Sequence, residues 1–475
     1  MSTLASNQFN DEKVPTRVIL AIAGAGVLSF TGILSETSLN VTFPHLMHEF
    51  GVNIAMVQWV TTAYLLAVSL VMTTSAFFKA TLSSRRIFLM GFISFIAGVF
   101  ISALAPTFPI LILGRLASGV GTGFLMPLMF NIILTSVPIR RIGTYMGIGA
   151  MISSMAPAFG PTFGGTMAYY SNWRYIFWIL VPIALIAFAI GIKNISNTKP
   201  ASTKPLQFDF TRFGLLGATY FLILYGLASV GAEGKVGVQF FVPLGIALVL
   251  IAIFIRLSQT ATRMFLNIRI FKNKAFVYSV IIYMIVQFSN LGMNFMLPNF
   301  GQIVLGATSL FAGLMLFPGS VVGAVANPLF GRMLDKMGPK KPLYLGNTIF
   351  TVLLIAFALA GTHLSILSVM VFYLLFTIGR SMTYGNVMAN GLREIPAELR
   401  PDGNAIFNTF QQIAGALGTT VMSLFMTMGP GSERVNAQDG SIRAWIFLAL
   451  LGLLNFWLLS QVFKHGNNEI PATAE

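Results

Sequence analysis

Long apolar runs, separated by short polar connections, dominate the chain from Val18 onward. A helix that crosses a bilayer needs about 20 apolar residues, and the runs reach that length. They are continuous and do not alternate polar with apolar residues, which excludes an outer-membrane barrel. The pattern therefore predicts an all-α polytopic membrane protein with fourteen spanning helices. The predicted helices cover residues 18–43, 57–77, 87–105, 110–137, 142–168, 175–192, 213–231, 238–258, 276–298, 309–330, 343–361, 365–391, 404–428 and 443–463.

Composition supports this interpretation. Of the 475 residues, 56% are hydrophobic and 9% are charged, whereas a typical soluble domain has about 25% charged residues. Most connections are 4–18 residues long, which leaves no room for a soluble catalytic domain. The sequence also has no GxxxxGK[ST] loop for binding nucleotide phosphates. We therefore predict that the protein is not an enzyme and does not use ATP directly.

The distribution of basic residues predicts the orientation in the membrane. The net charge is +15, and a cytoplasmic N-terminus would place 23 Lys and Arg residues in cytoplasmic segments and 4 in outer ones. Cytoplasmic loops of membrane proteins collect Lys and Arg, so we expect a cell-membrane protein with both termini in the cytoplasm. The basic residues are scattered in short loops, so we expect no nucleic acid partner. Without cysteine, and with four histidines that lack ligand spacing, we expect no metal site.

Two connections reveal a weak internal repeat. Residues 77–86 follow predicted helix 2 and residues 331–341 follow predicted helix 10, and both segments are short and basic. Duplicated bundles around a central cavity are a common transporter plan. We therefore predict two pseudo-symmetric six-helix bundles, at residues 1–192 and 276–475. Residues 193–275 would form a linker that carries two extra spanning helices.

Glu36 is the strongest candidate for chemistry. Of the fourteen acidic residues, it alone lies well inside a predicted spanning helix. An intramembrane carboxylate is costly, and by default it indicates a proton or cation site; the alternative is a fixed ion pair that only joins helices. Arg115, in predicted helix 4, lies at a similar depth, about 9–12 Å from the outer boundary. We expect Arg115 to be its partner, unless the guanidinium reaches the outer headgroups.

Arg380 is the second basic residue inside a predicted helix. Gly379-Arg380 repeats the dipeptide Gly114-Arg115. The match is imperfect, because its position predicts a place about 10 Å nearer the cytoplasm than an exact counterpart would have. Arg380 could attract an anionic group or support a cluster of carbonyl groups.

Uncharged polar side chains recur in the middle of the predicted helices. Amides beside Phe and Met suit a cavity for amphipathic ligands of varied shape, but they can equally form hydrogen bonds between helices. The candidates for a substrate cavity are Asn40, Gln58, Tyr64, Asn131, Gln287, Asn294, Asn386 and Gln411. Further side chains of the same type are Asn290, Tyr384, Asn390, Asn408 and Gln412.

Predicted helix 5 combines small residues with prolines. Pro157, Gly160, Pro161, Gly164 and Gly165 lie within nine residues of one another. Small residues at spacing four allow helices to approach closely, and the prolines bend the helix and free carbonyl groups. The segment predicts tight packing with a kink.

Five short segments carry a family resemblance. They read ETSLNVTFP at 36–44, GRLASGVG at 114–121, GPTFGG at 160–165, NWRYIF at 172–177 and NTFQQIAG at 408–415. Together they resemble the major facilitator superfamily, in its fourteen-helix drug:proton antiporter branch. The resemblance implies export of hydrophobic compounds against proton entry. It also implies that Arg115 of the helix-4 motif takes part in proton coupling.

The loop after predicted helix 2 departs from the family pattern. The gating motif of the family usually has Gly, Asp and Gly there, and this sequence has Phe77, Thr81 and Ser84. The second copy keeps the motif and would carry most of the cytoplasmic gate. Its residues are Gly331, Asp335, Lys336, Gly338 and Lys340.

We therefore expect a proton-coupled secondary exporter, an antiporter of amphipathic or lipophilic compounds such as drugs, that works by alternating access. Its partners would be small hydrophobic or cationic substrates, protons and the lipid bilayer. We expect a monomer and no cofactor, because the proton gradient would drive transport. The alternative is a lipid or endogenous-metabolite carrier on the same scaffold, since sparse intramembrane charge also suits an apolar cargo.

Overall fold

The regular elements of the described chain are helices. The structure, a computed structural model, describes residues 14–197, 208–233, 236–260, 268–396 and 399–466. In the described residues the α-helices are α1 Thr16–Leu39, α2 Phe43–Phe50, α3 Ile54–Val57, α4 Trp59–Thr73, α5 Ser75–Thr81, α6 Ser84–Ala103, α7 Phe108–Ser136, α8 Ile139–Tyr170, α9 Arg174–Asn194, α10 Phe210–Glu233, α11 Val238–Thr260, α12 Lys274–Ile303, α13 Ser309–Leu314, α14 Phe317–Met337, α15 Lys340–Ala360, α16 Ile366–Arg393, α17 Arg400–Thr427 and α18 Glu433–His465. Short 3₁₀ turns cover Asn40–Thr42, Ile268–Lys272 and Gly361–His363.

Twelve stretches of the described chain are long and apolar enough to cross a membrane. The protein is therefore a multi-pass membrane protein. Helices α8 and α17 correspond to the predicted spans 142–168 and 404–428 and have 32 and 28 residues, but they are not among the twelve. Their glycine, proline and polar residues lower their mean hydropathy. The total of fourteen spans stays a prediction.

The largest boundary difference is at the last helix. The apolar run predicts a helix from residue 443, whereas α18 begins ten residues earlier, at Glu433. The added residues are mostly polar, so the hydropathy pattern does not reveal them. Glu433 lies in the first turn, where a negative charge is favourable because it faces the positive end of the helix dipole.

Helix packing is densest within each half of the chain. In the first half, α1 packs against α7, α8 and α9, and α7 packs against α4 and α6. In the second half, α12 packs against α16, α17 and α18, and α15 packs against α16 and α18. Contacts between the halves come mainly from α4 with α17 and from α8 with α13 and α14. The space between these helices contains the candidate site.

Hydrogen bonds join the two halves at the end of the molecule opposite the termini. Asn299 Nδ2 donates to the carbonyl oxygen of Asn40 at 3.3 Å, and Gln302 Nε2 donates to that of Val41 at 2.8 Å. Three further hydrogen bonds at this end link Thr420 to Gln58, Ser423 to Ile54 and Ser309 to Gly165. The halves are therefore closed against each other where α1, α12 and α17 end.

Aromatic rings pack around the connection that departs from the family pattern. The ring centroids of Phe77 and Phe208 are 4.9 Å apart, and those of Phe78 and Phe124 are 5.0 Å apart. Phe208 lies two residues before α10 and Phe124 lies in α7, so these rings join α5 to α7 and to the start of α10. Apolar packing thus occupies the place where an acidic gating motif would otherwise lie.

The segment predicted to carry the second copy of the gating motif runs from α14 into α15. Gly331 lies inside α14, and Lys336 and Lys340 are exposed. Gly338 follows α14 with φ 71° and ψ 172°, a conformation that is essentially restricted to glycine. The side chain of Asp335 lies outside the described part of the structure. Position 338 therefore requires glycine because of its backbone conformation.

We predict that Gly338→Ala destabilises the protein by about 1–3 kcal/mol, because alanine would have to adopt a strained backbone conformation. Gly331→Ala is the matched control, since a Cβ there meets no atom within 4 Å and alanine favours a helix. The measurement is the thermal midpoint of each variant purified in detergent. Equal midpoints for the two variants would contradict the assignment of strain to Gly338.

Candidate functional site

A central cavity of about 450 Å³ lies between α1, α4, α7 and α8 on one side and α12, α14, α16 and α17 on the other. Its volume falls within the range of small-molecule sites, about 300–1,000 Å³. The apolar part of its wall includes Ile33, Leu65, Val68, Met126, Phe130, Leu291 and Met388. The wall is otherwise rich in hydroxyl and amide groups, so the cavity suits an amphipathic ligand.

The cavity wall includes four of the eight residues that the sequence indicated for it, namely Tyr64, Gln287, Asn294 and Gln411. Four of the further polar residues also line it, namely Asn290, Tyr384, Asn408 and Gln412. These side chains come from α4, α12, α16 and α17. Both halves of the chain therefore contribute polar groups to one space.

The other four candidates lie outside this cavity, because their side chains are engaged in hydrogen bonds elsewhere. The amide oxygens of three of them accept hydrogen bonds and the fourth amide donates one. The pairs are Asn40 with Thr61, Gln58 with Thr420, Asn131 with Lys79, and Asn386 with the carbonyl of Phe330. Partial burial also lowers the pKa of Lys79, at the end of α5. In this structure these four side chains therefore form hydrogen bonds between elements and do not line the central cavity.

Glu36 lies on the wall of the cavity beside a fully buried arginine. The Glu36 side chain is 4% exposed, and its Oε1 atom has no hydrogen-bond partner in the described structure. Arg115 is 0% exposed. Its Nε donates to the carbonyl oxygen of Val60 and its Nη1 donates to Ser35 Oγ, each at 3.2 Å. The guanidinium also lies 4.3 Å from the centre of the Tyr64 ring.

Glu36 and Arg115 are close but do not form the direct ion pair that the sequence predicts. Within the described residues no nitrogen of Arg115 comes within 4.0 Å of a Glu36 oxygen. Two of its nitrogens are bound to Val60 and Ser35 and the group is stacked on Tyr64, which holds the guanidinium in place, whereas Nη2 has no partner within the described residues. The opposite charges still attract one another, and a low local dielectric strengthens that attraction. The carboxyl group is therefore held near a cation yet stays available to the cavity.

Arg380 lines the same cavity from the opposite half of the chain. Its Nη2 donates to Ser381 Oγ at 2.8 Å, and the guanidinium lies 5.9 Å from the ring centre of Tyr384. The sequence indicated a buried cation here but gave no means of placing it relative to Glu36. The structure brings the two charged residues to one space.

Two tyrosines of the cavity were not among the residues singled out from the sequence. Tyr283 donates to Gln411 Oε1 at 2.9 Å, and Tyr373 donates to Asn294 Oδ1 at 3.0 Å. Tyrosine in the middle of an apolar helix, among many phenylalanines, is the signal that could have found them, because a buried hydroxyl requires a partner. They link α12 to α16 and α17.

The small residues of α8 allow two close helix contacts. A Cβ at Gly160 would overlap Thr37, and one at Gly164 would overlap the carbonyl of Ser38, both on α1 or its end. A Cβ at Gly165 would overlap the carbonyl of Ser309, in the other half. Pro157 and Pro161 both lie inside the helix, and Pro157 contacts the cavity. α8 therefore packs closely against the C-terminal part of α1 and contacts α13.

The NWRYIF segment lies outside the cavity. Trp173 Nε1 donates to Glu49 at 2.7 Å, and Arg174 forms an ion pair with the same carboxylate at 2.6 Å. Arg174 also donates to the carbonyl oxygen of Ala105 at 2.8 Å. These bonds tie the start of α9 to α2 and to the connection after α6.

Comparisons with known proteins identify a family and a shared fold. A family model described as Major Facilitator Superfamily matches residues 25–419. The chain is 34% identical to the lincomycin resistance protein LmrB of Bacillus subtilis, over 96% of this chain and 98% of that protein. It is 26% identical to a multidrug resistance protein B homolog of Mycobacterium tuberculosis, over 86% and 76%. The crystal structure of a POT family transporter in complex with 5-aminolevulinic acid matches with a TM-score of 0.68 at 16% identity, covering 94% and 96%.

We predict that Gly164→Ala lowers the stability of the protein, because overpacking against the backbone of α1 costs about 1–3 kcal/mol. Gly214→Ala on α10 is the control, since a Cβ there meets no atom within 4 Å. The measurement is thermal unfolding of both variants in the same detergent. An unchanged midpoint for Gly164→Ala would show that α8 and α1 are not in close contact.

Proposed function

Because this chain belongs to the major facilitator superfamily, whose members are transporters rather than enzymes, we propose that it exports amphipathic or lipophilic compounds in exchange for protons. Relatives named for resistance to lincomycin and to multiple drugs support efflux of small molecules. The polar and apolar wall of the cavity fits compounds that are neither fully hydrophobic nor highly charged. Proton exchange would drive export without a bound cofactor, in a protein that acts as a monomer.

The observation that carries the proposal is the state of Glu36. Its carboxyl group reaches the cavity, and one oxygen is buried without a partner. Such a group is stable when it is protonated or when a cation neutralises it. A proton and a cationic or polar substrate group therefore compete for the same atoms. That competition is the elementary requirement of an antiporter.

The charge of Arg115 would determine how strongly the ionised form of Glu36 is stabilised. Its two hydrogen bonds and its stacking on Tyr64 hold the guanidinium in place. When Glu36 is ionised, it is attracted to this fixed charge; when it is protonated, the attraction is lost. A proton thus changes how strongly α1 is held against α7 and α4. Differential stabilisation of this kind can shift the balance between two conformations.

Alternating access would use the two halves of the chain as moving parts. We assign six-helix bundles to residues 1–192 and 276–475, with residues 193–275, including α10 and α11, inserted between them. Fourteen crossings with both termini in the cytoplasm complete this assignment. The hydrogen bonds of Asn299 and Gln302 close the end opposite the termini. On this topology the present conformation is closed to the outside.

The test is proton flux driven by a gradient of a lipophilic cation in proteoliposomes. We predict flux in the wild type, background flux in Glu36→Gln, and partial flux in Glu36→Asp, because only a carboxyl group can exchange a proton. Glu433→Gln makes the same chemical change at an exposed position on α18 and should retain full flux.

Full flux in Glu36→Gln would place the proton elsewhere and contradict the role of Glu36. Absence of flux in the wild type, across lipophilic cations and neutral drugs, would favour the lipid or metabolite carrier. If Glu433→Gln loses as much proton flux as Glu36→Gln, the variants share a general defect. The proposed role of Glu36 would then lose its support.

A further inference from the structure

Arg380 places a positive charge on the wall of the central cavity, from α16. At this point α16 packs closely against α15, since Gly379 lies directly against the backbone of α15 at Gly346. The guanidinium lies beside Gly323 of α14, where a Cβ would be 3.5 Å from Nη2. Arg380 and Ala324 of α14 both line the cavity, so Arg380 borders a space that a ligand can occupy.

The hydrogen-bonding capacity of Arg380 is only partly used. An arginine has five N–H donors, and the described structure gives one bond, from Nη2 to Ser381 Oγ at 2.8 Å. Its Nε is buried and has no partner within the described residues. No described carboxylate lies within 4.0 Å of the guanidinium. A buried charge in this state is costly unless another group neutralises it.

The tyrosine hydroxyls nearby form hydrogen bonds with one another and with amide groups, and within the described residues none of them binds Arg380. Tyr283 hydrogen-bonds with the hydroxyl of Tyr384 at 2.6 Å and stacks on its ring at 4.4 Å. The hydroxyl of Tyr373 is directed to Asn294 at 3.0 Å. These bonds order the aromatic wall and leave Arg380 with unused donors.

We propose that Arg380 is a specificity-determining residue that binds an anionic oxygen group of the substrate. A planar guanidinium forms strong, charge-assisted bonds to a carboxylate in bidentate geometry. The cavity then has two poles, with Glu36 for a cationic group and Arg380 for an anionic one. Its preferred substrates are dipolar amphipathic compounds, with an amine and an acidic oxygen group on an apolar body. The inference rests on the proposed function, because it names the substrate class of the same cavity.

The test compares two probes that differ only in the anionic group, the zwitterionic quinolone norfloxacin and its methyl ester. Both carry the same amine, and their fluorescence reports binding to the purified protein in detergent. We expect the wild type to bind the acid about tenfold more tightly than the ester, equivalent to about 1.4 kcal/mol. Arg380→Met should lose this preference by weakening the acid alone. Arg380→Lys should retain part of it, because the charge remains.

The control is Arg256→Met, which removes an exposed arginine on α11 and should leave both affinities unchanged. If Arg380→Met does not yield folded protein, Arg380→Gln replaces it. Its preference for the acid over the ester is then compared with that of the wild type. Equal weakening of both probes would assign Arg380 a packing role and overturn the proposal. A wild type that does not distinguish acid from ester would overturn it as well. The binding assay needs no proton gradient, so its outcome is independent of the proton-flux assay. Proton-coupled transport by a protein that does not prefer the acid over the ester would refute this inference and leave the proposed export function intact.

Discussion

A carboxyl group buried among apolar helices must bind a proton, a cation or a hydrogen-bond donor, and Glu36 satisfies this requirement incompletely. The nearest cation, Arg115, is committed to Ser35, Val60 and the ring of Tyr64. Its positive charge lowers the free-energy cost of burying the ionised carboxyl group of Glu36, yet it forms no direct ion pair with that group. The proposed exchange of proton and substrate depends on this arrangement, because a direct ion pair would remove Glu36 from the cavity.

The packing of α8 and α7 supports this arrangement at a distance. Glycines of α8 allow the C-terminal part of α1 to lie directly against it. On the other side, a Cβ at Gly32 would overlap Thr122 of α7, whose hydroxyl accepts a hydrogen bond from Tyr64 at 2.9 Å. Small residues on both faces therefore fix the depth and rotation of the helix that carries Glu36. Substitutions there would act on the site through packing.

The sequence predicts the helices well where the apolar run and the helix coincide. The predicted span 110–137 corresponds to α7, Phe108–Ser136, whereas the start of α18 could not be predicted because polar residues form its first turns. Intramembrane charges were also evident, since Glu36, Arg115 and Arg380 stand out against apolar neighbours. Amides were harder to assign. Gln411 faces the cavity and Gln58 binds Thr420, and composition and spacing do not distinguish these two environments.

The proposed cavity, with a carboxyl group at one pole and an arginine at the other, would accept compounds of varied shape. Opposite charges orient a dipolar ligand, and the aromatic and aliphatic wall contacts its apolar body without a fixed shape requirement. On one side of the cavity, hydrogen bonds among three tyrosines and two amides of α12, α16 and α17 hold the side chains in place. On the other side, the fixed guanidinium of Arg115 does so.

Proton release on substrate binding tests the central claim most directly. A lipophilic cation is added to purified protein in weakly buffered detergent solution, at a pH where Glu36 is protonated, and a pH-sensitive dye records released protons. The account predicts about one proton per bound cation in the wild type and none in Glu36→Gln. Binding without proton release in the wild type, or equal release in both proteins, would contradict the claim that proton and substrate share Glu36.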